Sequence, residues 1–303
     1  EVKELSGEEW LFYHSIPVDV ALIRGTTADT HGNITMEREA LTLDMLSIAM
    51  AAKNSGGLVI AQVERIAAPG SLNPKEVIVP GNLVDCVVVA EPDEHKQTYQ
   101  TSYHHGFAGR MRGVIGQDAP MKMSERKIIA RRAAMELPVN GVVNLGIGMP
   151  EGVAAVANEE NIIDCITLTT EAGVLGGVPQ SGLDFGAAIN ANAIIQTNQQ
   201  FDFYDGGGLD VAVLGAVTID TEGSVNISAL GDRFAGVGGF VNISQNTQKV
   251  VFCCPFRVGG LEVRVDEDRL QIKQEGRHCK FVESIPQVAL RLHKACHHPP
   301  AVR

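Results

Sequence analysis

The chain has 303 residues, of which 45% are hydrophobic, 20% charged and 5% aromatic, with 32 glycines. This length holds one large or two ordinary cored domains, and an aliphatic, glycine-rich composition is that of α/β enzymes with tight crossovers. The net charge of −11 excludes a basic field for a nucleic-acid backbone or an anionic membrane, and the longest apolar runs, such as residues 250–254, fall far short of the roughly 18 residues of a membrane span.

In chain order, residues 19–33 open with the buried-strand pattern Asp-Val-Ala-Leu-Ile and close with Asp29-Thr-His-Gly32. This is a turn in which Asp bonds its own backbone and Gly supplies positive φ. Residues 210–224 align with it without a gap, at an offset of 210 − 19 = 191, and end in Asp220-Thr-Glu-Gly223. Apolar strands follow both turns at similar distances, over residues 58–62 and 250–254. The expectation is a duplicated α/β unit. The second copy is read as starting near Ser124, 210 − 124 = 86 residues before Asp210, whereas 18 residues precede Asp19. The repeat therefore predicts about 65–70 further residues ahead of Glu1, and an incomplete first unit would leave a strand edge and an apolar face exposed.

Residues 91–123 show no sustained period and read as a surface linker. Ser124 is an N-cap for a helix whose stripe is Ile128, Ile129, Ala133 and Leu137, stopped by Pro138. A strand over residues 142–145, a glycine turn, a helix over 152–159 and a strand over 166–170 follow, an order that predicts parallel strands.

Four chemical candidates lie along this second unit. In Gly146-Ile-Gly-Met-Pro-Glu-Gly152, Gly146 and Gly148 are read either as a phosphate cradle at a helix start or as a tight turn with Pro150 opening the helix. Glu171 ends a strand and is followed by Gly173, Gly176, Gly177, Gly182 and Gly186, so a ligand is expected to approach the main chain there. Asp205-Gly-Gly-Gly208 reads as a flexible strand entry. Gly236, Gly238 and Gly239, which follow Asp232 and Arg233, can aim successive main-chain N–H groups at one oxyanion. Arg233 is read either as a partner for an anionic ligand or, by preference, as a surface salt-bridge residue. The six cysteines (Cys86, Cys165, Cys253, Cys254, Cys279, Cys296) and nine histidines lack disulfide or zinc spacing, so reduced thiols in a cytoplasmic protein and no metal site are expected. Serine-hydrolase and P-loop signatures are absent.

Three stretches, Asn144-Leu-Gly-Ile-Gly-Met-Pro150, Thr169-Thr-Glu-Ala-Gly-Val-Leu-Gly-Gly177 and Gly236-Val-Gly-Gly-Phe-Val-Asn242, resemble the family I CoA-transferases, and most resemble the single-chain acetate/propionate type. The resemblance runs to about Val282. It implies two similar tandem α/β domains with largely parallel sheets, the first incomplete. It places the C-terminal part of the first domain at 1–90, the linker at 91–123, the second domain with the catalytic Glu at 124–285 and an atypical tail at 286–303. It further implies Glu171 as the catalytic nucleophile and Gly236, Gly238 and Gly239 as the oxyanion and CoA loop. The partners implied are acyl-CoA and short-chain carboxylates, with a homo-oligomer as the assembly, and no cofactor because coenzyme A is a substrate. Two other readings remain: a CoA-binding piece without turnover, and a dinucleotide-dependent oxidoreductase using residues 146–152.

Overall fold

The structure, a computed structural model, describes residues 1–113, 120–230, 233–266 and 269–291. It divides into two compact units, Glu1–Gln97 and Thr98–Arg303.

In the first unit, a fully exposed hairpin (Val2–Leu5 with Glu8–Leu11) precedes the core. The strands β1 (Val20–Arg24), β2 (Thr27–Asp29) and β3 (Ile34–Thr35) are followed by α1 (Met45–Asn54), β4 (Leu58–Val63), β5 (Arg65–Ala67), β6 (Val77–Val79) and β7 (Cys86–Val89). β1, β4 and β7 form a parallel sheet in that order, with Ala21 opposite Val59 and Ala61 opposite Val87. Alternation along the strands sends Ala21, Ile23, Val59, Ala61 and Val63 onto α1, which buries Met45, Ala49 and Ala52 against them. The opposite face carries Val20, Leu22, Leu58 and Val88, all exposed, with Leu22 at 73%. An apolar face is therefore bare on this unit.

A second sheet, in the order β5-β2-β3-β6, completes the unit. Residues 91–97, read as the start of a linker, belong here. His95 is buried and bonds through Nε2 to Glu39 (3.0 Å) and through Nδ1 to Gln62 (2.9 Å), while Arg24 pairs with Glu39 at 2.9 Å. A buried carboxylate needs such partners, and the sequence pattern of this segment gave no sign of them.

The second unit contains α2 (Glu125–Ala134), β8 (Val142–Leu145), α3 (Glu151–Glu159), β9 (Thr167–Thr169), β10 (Val174–Leu175), β11 (Ala193–Ile194), α4 (Thr197–Asp205), β12 (Val211–Leu214), α5 (Phe240–Gln245) and β13 (Lys249–Phe252). One sheet runs β11-β10-β9-β8-β12-β13. β9, β8, β12 and β13 are mutually parallel, and β10 and β11 turn back antiparallel. Ser124 caps α2 by accepting from the Lys127 N–H, and α2 ends at Ala134, a turn earlier than the apolar stripe suggested. Val143, Leu168, Val211 and Val213 face α2 and α3. Ala212 and Leu214 face α4 and α5 through Tyr204, Phe240 and Ile243. From the expected tail at 286–303, Ala289 and Leu290 pack on this second core and donate main-chain hydrogen bonds to Val225; residues 292–303 lie outside the described residues.

The repeated motif has the same geometry in both units. Asp29 Oδ1 accepts from the N–H groups of His31 and Asn33, and Asp220 Oδ1 from those of Glu222 and Ser224. Gly32 and Gly223 sit at φ 83° and 81°. Each copy leads through a helix into a parallel strand, β1 to β4 in one and β12 to β13 in the other. The fold is mixed α/β with largely parallel main sheets.

Candidate active site

Glu171 lies just beyond the C-terminal end of β9, in the reversal that sends the chain back into β10. The Gly173 N–H closes this turn on Thr170 O at 3.0 Å, and Thr170 N–H reaches Val174 O at 3.1 Å. Gly173 is obligatory here: its φ is 105°, and a Cβ would lie 2.0 Å from Ile195 O. A hairpin tip at the carboxyl end of parallel strands presents its side chain where α/β sheets bind ligands.

The pocket in front of Glu171 has a volume of about 460 Å³. It is walled by Gly146 and Ile147, by Leu214 and Gly215 at the end of β12, and by Gly236, Val237, Gly238, Gly239 and Phe240 leading into α5. Three motifs scattered along the sequence thus converge on one cavity, because parallel neighbours β9, β8 and β12 deliver their carboxyl ends side by side. The described lining contains no Lys or Arg. Burial pushes the half-buried Glu171 carboxyl above the ordinary range, and its own backbone N–H only partly offsets this.

The glycines differ in what they contribute. Gly236 and Gly238 adopt φ 80° and 55° beside open space, so side chains there would be strained rather than crowded. A Cβ on Gly239 would instead meet the Phe201 ring at 2.8 Å. Among the described residues, neither the Gly238 nor the Gly239 N–H donates to the protein. In the other loop, Gly146 lines the pocket, yet its N–H is spent on Val213 O at 2.9 Å. Gly148 is absent from the lining; its carbonyl accepts from Arg126 at 2.6 Å. Pro150 caps α3 and Glu151 occupies its first turn, so that helix start already carries an anion. Asp205 ties α4 to α5 by accepting from Asn242 and Gln245, which makes residues 205–208 a structural junction. Arg233 is exposed and outside the pocket lining, and Asp232 lies outside the described residues.

Behind Glu171 lies a polar cluster that no sequence motif announced. Asn144 on β8, Thr169 on β9, and Gln200 and Tyr204 one turn apart on α4 are all at most 1% exposed. The Asn144 amide donates to the Tyr204 hydroxyl (3.3 Å), Tyr204 donates to Thr169 (2.8 Å), and Thr169 donates to Val143 O (3.1 Å). Burial, with the nearby Glu171 charge adding to it, pushes the Tyr204 phenol up to about 12. The signal was present but faint: one Asn in the apolar run Val-Val-Asn-Leu, and a Gln/Tyr pair at helical spacing.

Burial pushes the thiol of Cys253, just beyond β13, up to about 11, which favours the thiol over the thiolate at neutral pH. Among the described residues no His/Cys/Asp/Glu group is arranged to hold a metal, and no helix is long and apolar enough to cross a membrane.

Comparison with known proteins adds the following. The model of the coenzyme A transferase family matches residues 1–90. The chain is 48% identical over 294 residues to the caffeate CoA-transferase of Acetobacterium woodii, covering 95% of this chain and 56% of that protein. It is 38% identical over 285 residues to the acetate CoA-transferase YdiF of Escherichia coli K12, covering 94% and 54% respectively. The crystal structure of the acyl-CoA transferase YdiF from E. coli O157:H7, in a thioester complex with CoA, superposes with a TM-score of 0.86 at 36% identity, covering 96% of this chain and 54% of that one. The chain spans about half the length of the curated relatives it matches.

Proposed function

This chain belongs to the coenzyme A transferase family, and we propose that Glu171 is the nucleophile with which it moves CoA from a short-chain acyl-CoA to another carboxylic acid. The supporting observation is a carboxylate with no Lys or Arg among the described residues lining its pocket, faced by the glycine turn Gly236–Gly239. A carboxylate paired with a cation would be stabilised as a spectator, whereas one contacted only by its own backbone N–H keeps lone pairs available.

Glu171 attacks the thioester carbonyl carbon of the acyl-CoA; the C–S bond breaks, giving an acyl-glutamyl anhydride and CoA thiolate. The thiolate attacks the glutamyl carbonyl, the anhydride C–O bond breaks, and the donor acid leaves as its carboxylate. An acceptor carboxylate then attacks the glutamyl-CoA thioester, forming a second anhydride and freeing thiolate. Thiolate attack on the acyl carbonyl of that anhydride releases the new acyl-CoA and restores the Glu171 carboxylate. No net proton moves. Main-chain N–H groups at Gly238 and Gly239 would stabilise each tetrahedral oxyanion, and binding of the CoA tail away from the reacting carbon would offset desolvation of the carboxylate.

The donor class is acetyl-, propionyl- or acetoacetyl-CoA. The test is borohydride after acetyl-CoA: reduction converts the glutamyl thioester to a primary alcohol, which peptide mass mapping locates. A mass change at Glu171 that requires acetyl-CoA is the expected result. No change at Glu171, or the same change without acetyl-CoA, overturns the reading. Exchange assays with acetate, propionate, acetoacetate and caffeate as acceptors then set the acid range.

A further inference from the structure

We propose that Gln200 and Tyr204, on consecutive turns of α4, form with Asn144 and Thr169 a buried polar floor that positions the Glu171 carboxylate for attack on the acyl thioester. The inference rests on the reading of Glu171 as the nucleophile.

The observation that carries it is an imbalance. At the centre of the sheet, where its neighbours Ala212 and Leu214 are apolar, four polar side chains are sealed from solvent. Among the described residues, Asn144 Oδ1 and both Gln200 carboxamide atoms meet no hydrogen-bond partner of good geometry, although the Gln200 amide lies close enough to the Tyr204 hydroxyl to act on its ionisation. Burying an amide without partners destabilises the fold, and an apolar residue of similar shape would avoid that cost. Such a violation is expected where function requires it. The register locates that function. Asn144 pairs with Thr169 across β8 and β9, on the face of the sheet that α4 covers, and Glu171 follows Thr169 by two residues, near enough for its charge to act on Tyr204.

The hydrogen bonds run one way, from the Asn144 amide to the Tyr204 hydroxyl, to the Thr169 hydroxyl, to Val143 O. This commits the Tyr204 O–H to Thr169 and ties α4 to β9 two residues before Glu171. Gln200 lies against the Tyr204 hydroxyl and supplies a neutral dipole there, held by no hydrogen bond of good geometry. Neutral dipoles suit this position. Glu171 alternates between a charged carboxylate and uncharged anhydride and thioester, and a fixed cation would favour the charged form too strongly. Gln200 and Tyr204 are therefore positioning residues, acting through the floor under Glu171.

The experiment uses the intact protein, with acetyl-CoA and labelled propionate as substrates, and compares the unsubstituted chain with Gln200→Met and Tyr204→Phe. For Gln200→Met the expected result is a Tm at or above that of the unsubstituted protein with kcat lowered about tenfold and the KM for acetyl-CoA unchanged. Tyr204→Phe is expected to lower kcat while acetyl-CoA-dependent labelling still falls on Glu171. Opposite signs for stability and turnover are what a purely structural amide would not give. A Gln200→Met protein with unaltered kcat overturns the proposal, as does one with a lowered Tm, because the amide would then already be satisfied in the fold. Unaltered kcat in Tyr204→Phe removes Tyr204 from it. If the unsubstituted protein shows no labelling at Glu171, the nucleophile reading has failed first; labelling with indifferent variants means that only the floor has failed.

Discussion

At the level of single residues, the protonation of Glu171 links stability to chemistry. Its carboxyl titrates above the ordinary range in the folded chain because burial penalises the charged form. In the proposed mechanism attack requires the carboxylate, so kcat/KM should fall as pH drops through this raised pKa, at a higher pH than a solvent-exposed glutamate would give; a pH–rate profile checks it. The stability sign runs the other way. A group whose folded pKa is raised contributes fully below its unfolded pKa, and the contribution is lost as pH rises through the folded value. Glu171→Gln is thus expected to raise Tm at neutral pH, with the gain vanishing as the buffer is acidified past the ordinary glutamate range, while exchange falls by at least about a thousandfold. Tyr204→Phe leaves the Asn144 amide without its acceptor in a fully buried place, a loss of about 1–3 kcal/mol readable by denaturant titration. None of the four floor residues is unusual by type. What distinguishes them is shared burial, which local sequence does not report.

At the level of elements, the twin Asp-x-x-Gly turns were legible because their chemistry is local. Asp needs only the N–H groups two and four residues ahead, and Gly needs only its own φ. Asp29→Ala and Asp220→Ala should each cost about 1–2 kcal/mol, additively, since the two turns belong to different units; urea unfolding of the single and double variants tests this. Asp29 adds a pH dependence of known sign. The Asn33 side chain, with the N–H groups of Asn33 and His31, holds its carboxyl below the ordinary range against the opposing effect of burial, so its contribution is present above the unfolded pKa and lost as pH falls. The glycine loops were less transparent. Gly236, Gly238, Gly239 and Gly146 meet at Glu171, while Gly148 turns its carbonyl to Arg126. Glycine marks that the backbone does something unusual, and only the neighbours decide whether that serves a ligand or a turn. Gly239→Ala meets Phe201 and should reduce exchange more than Gly236→Ala, a comparison of kcat/KM between two single variants.

For the molecule as a whole, the first unit buries one face of β1-β4-β7 under α1 and leaves the other bare. Replacing Leu22, the most exposed of that apolar row, by Thr should cost less than about 0.5 kcal/mol and lower the fluorescence of a bound hydrophobic dye. Composition, the repeat and the strand-helix order were sufficient by themselves for the α/β class and for the parallel strands, because these depend on periodicity and on turn chemistry within a few residues. His95 buried against Glu39, the cavity shared by β9, β12 and the approach to α5, and the polar floor beneath Glu171 were decided by tertiary structure alone. Each depends on which strands become neighbours and which helix covers them. Burial and unmet hydrogen bonds are properties of that packing, so residues as ordinary as Gln200 and Thr169 acquire their meaning only from where the sheet and α4 bring them together.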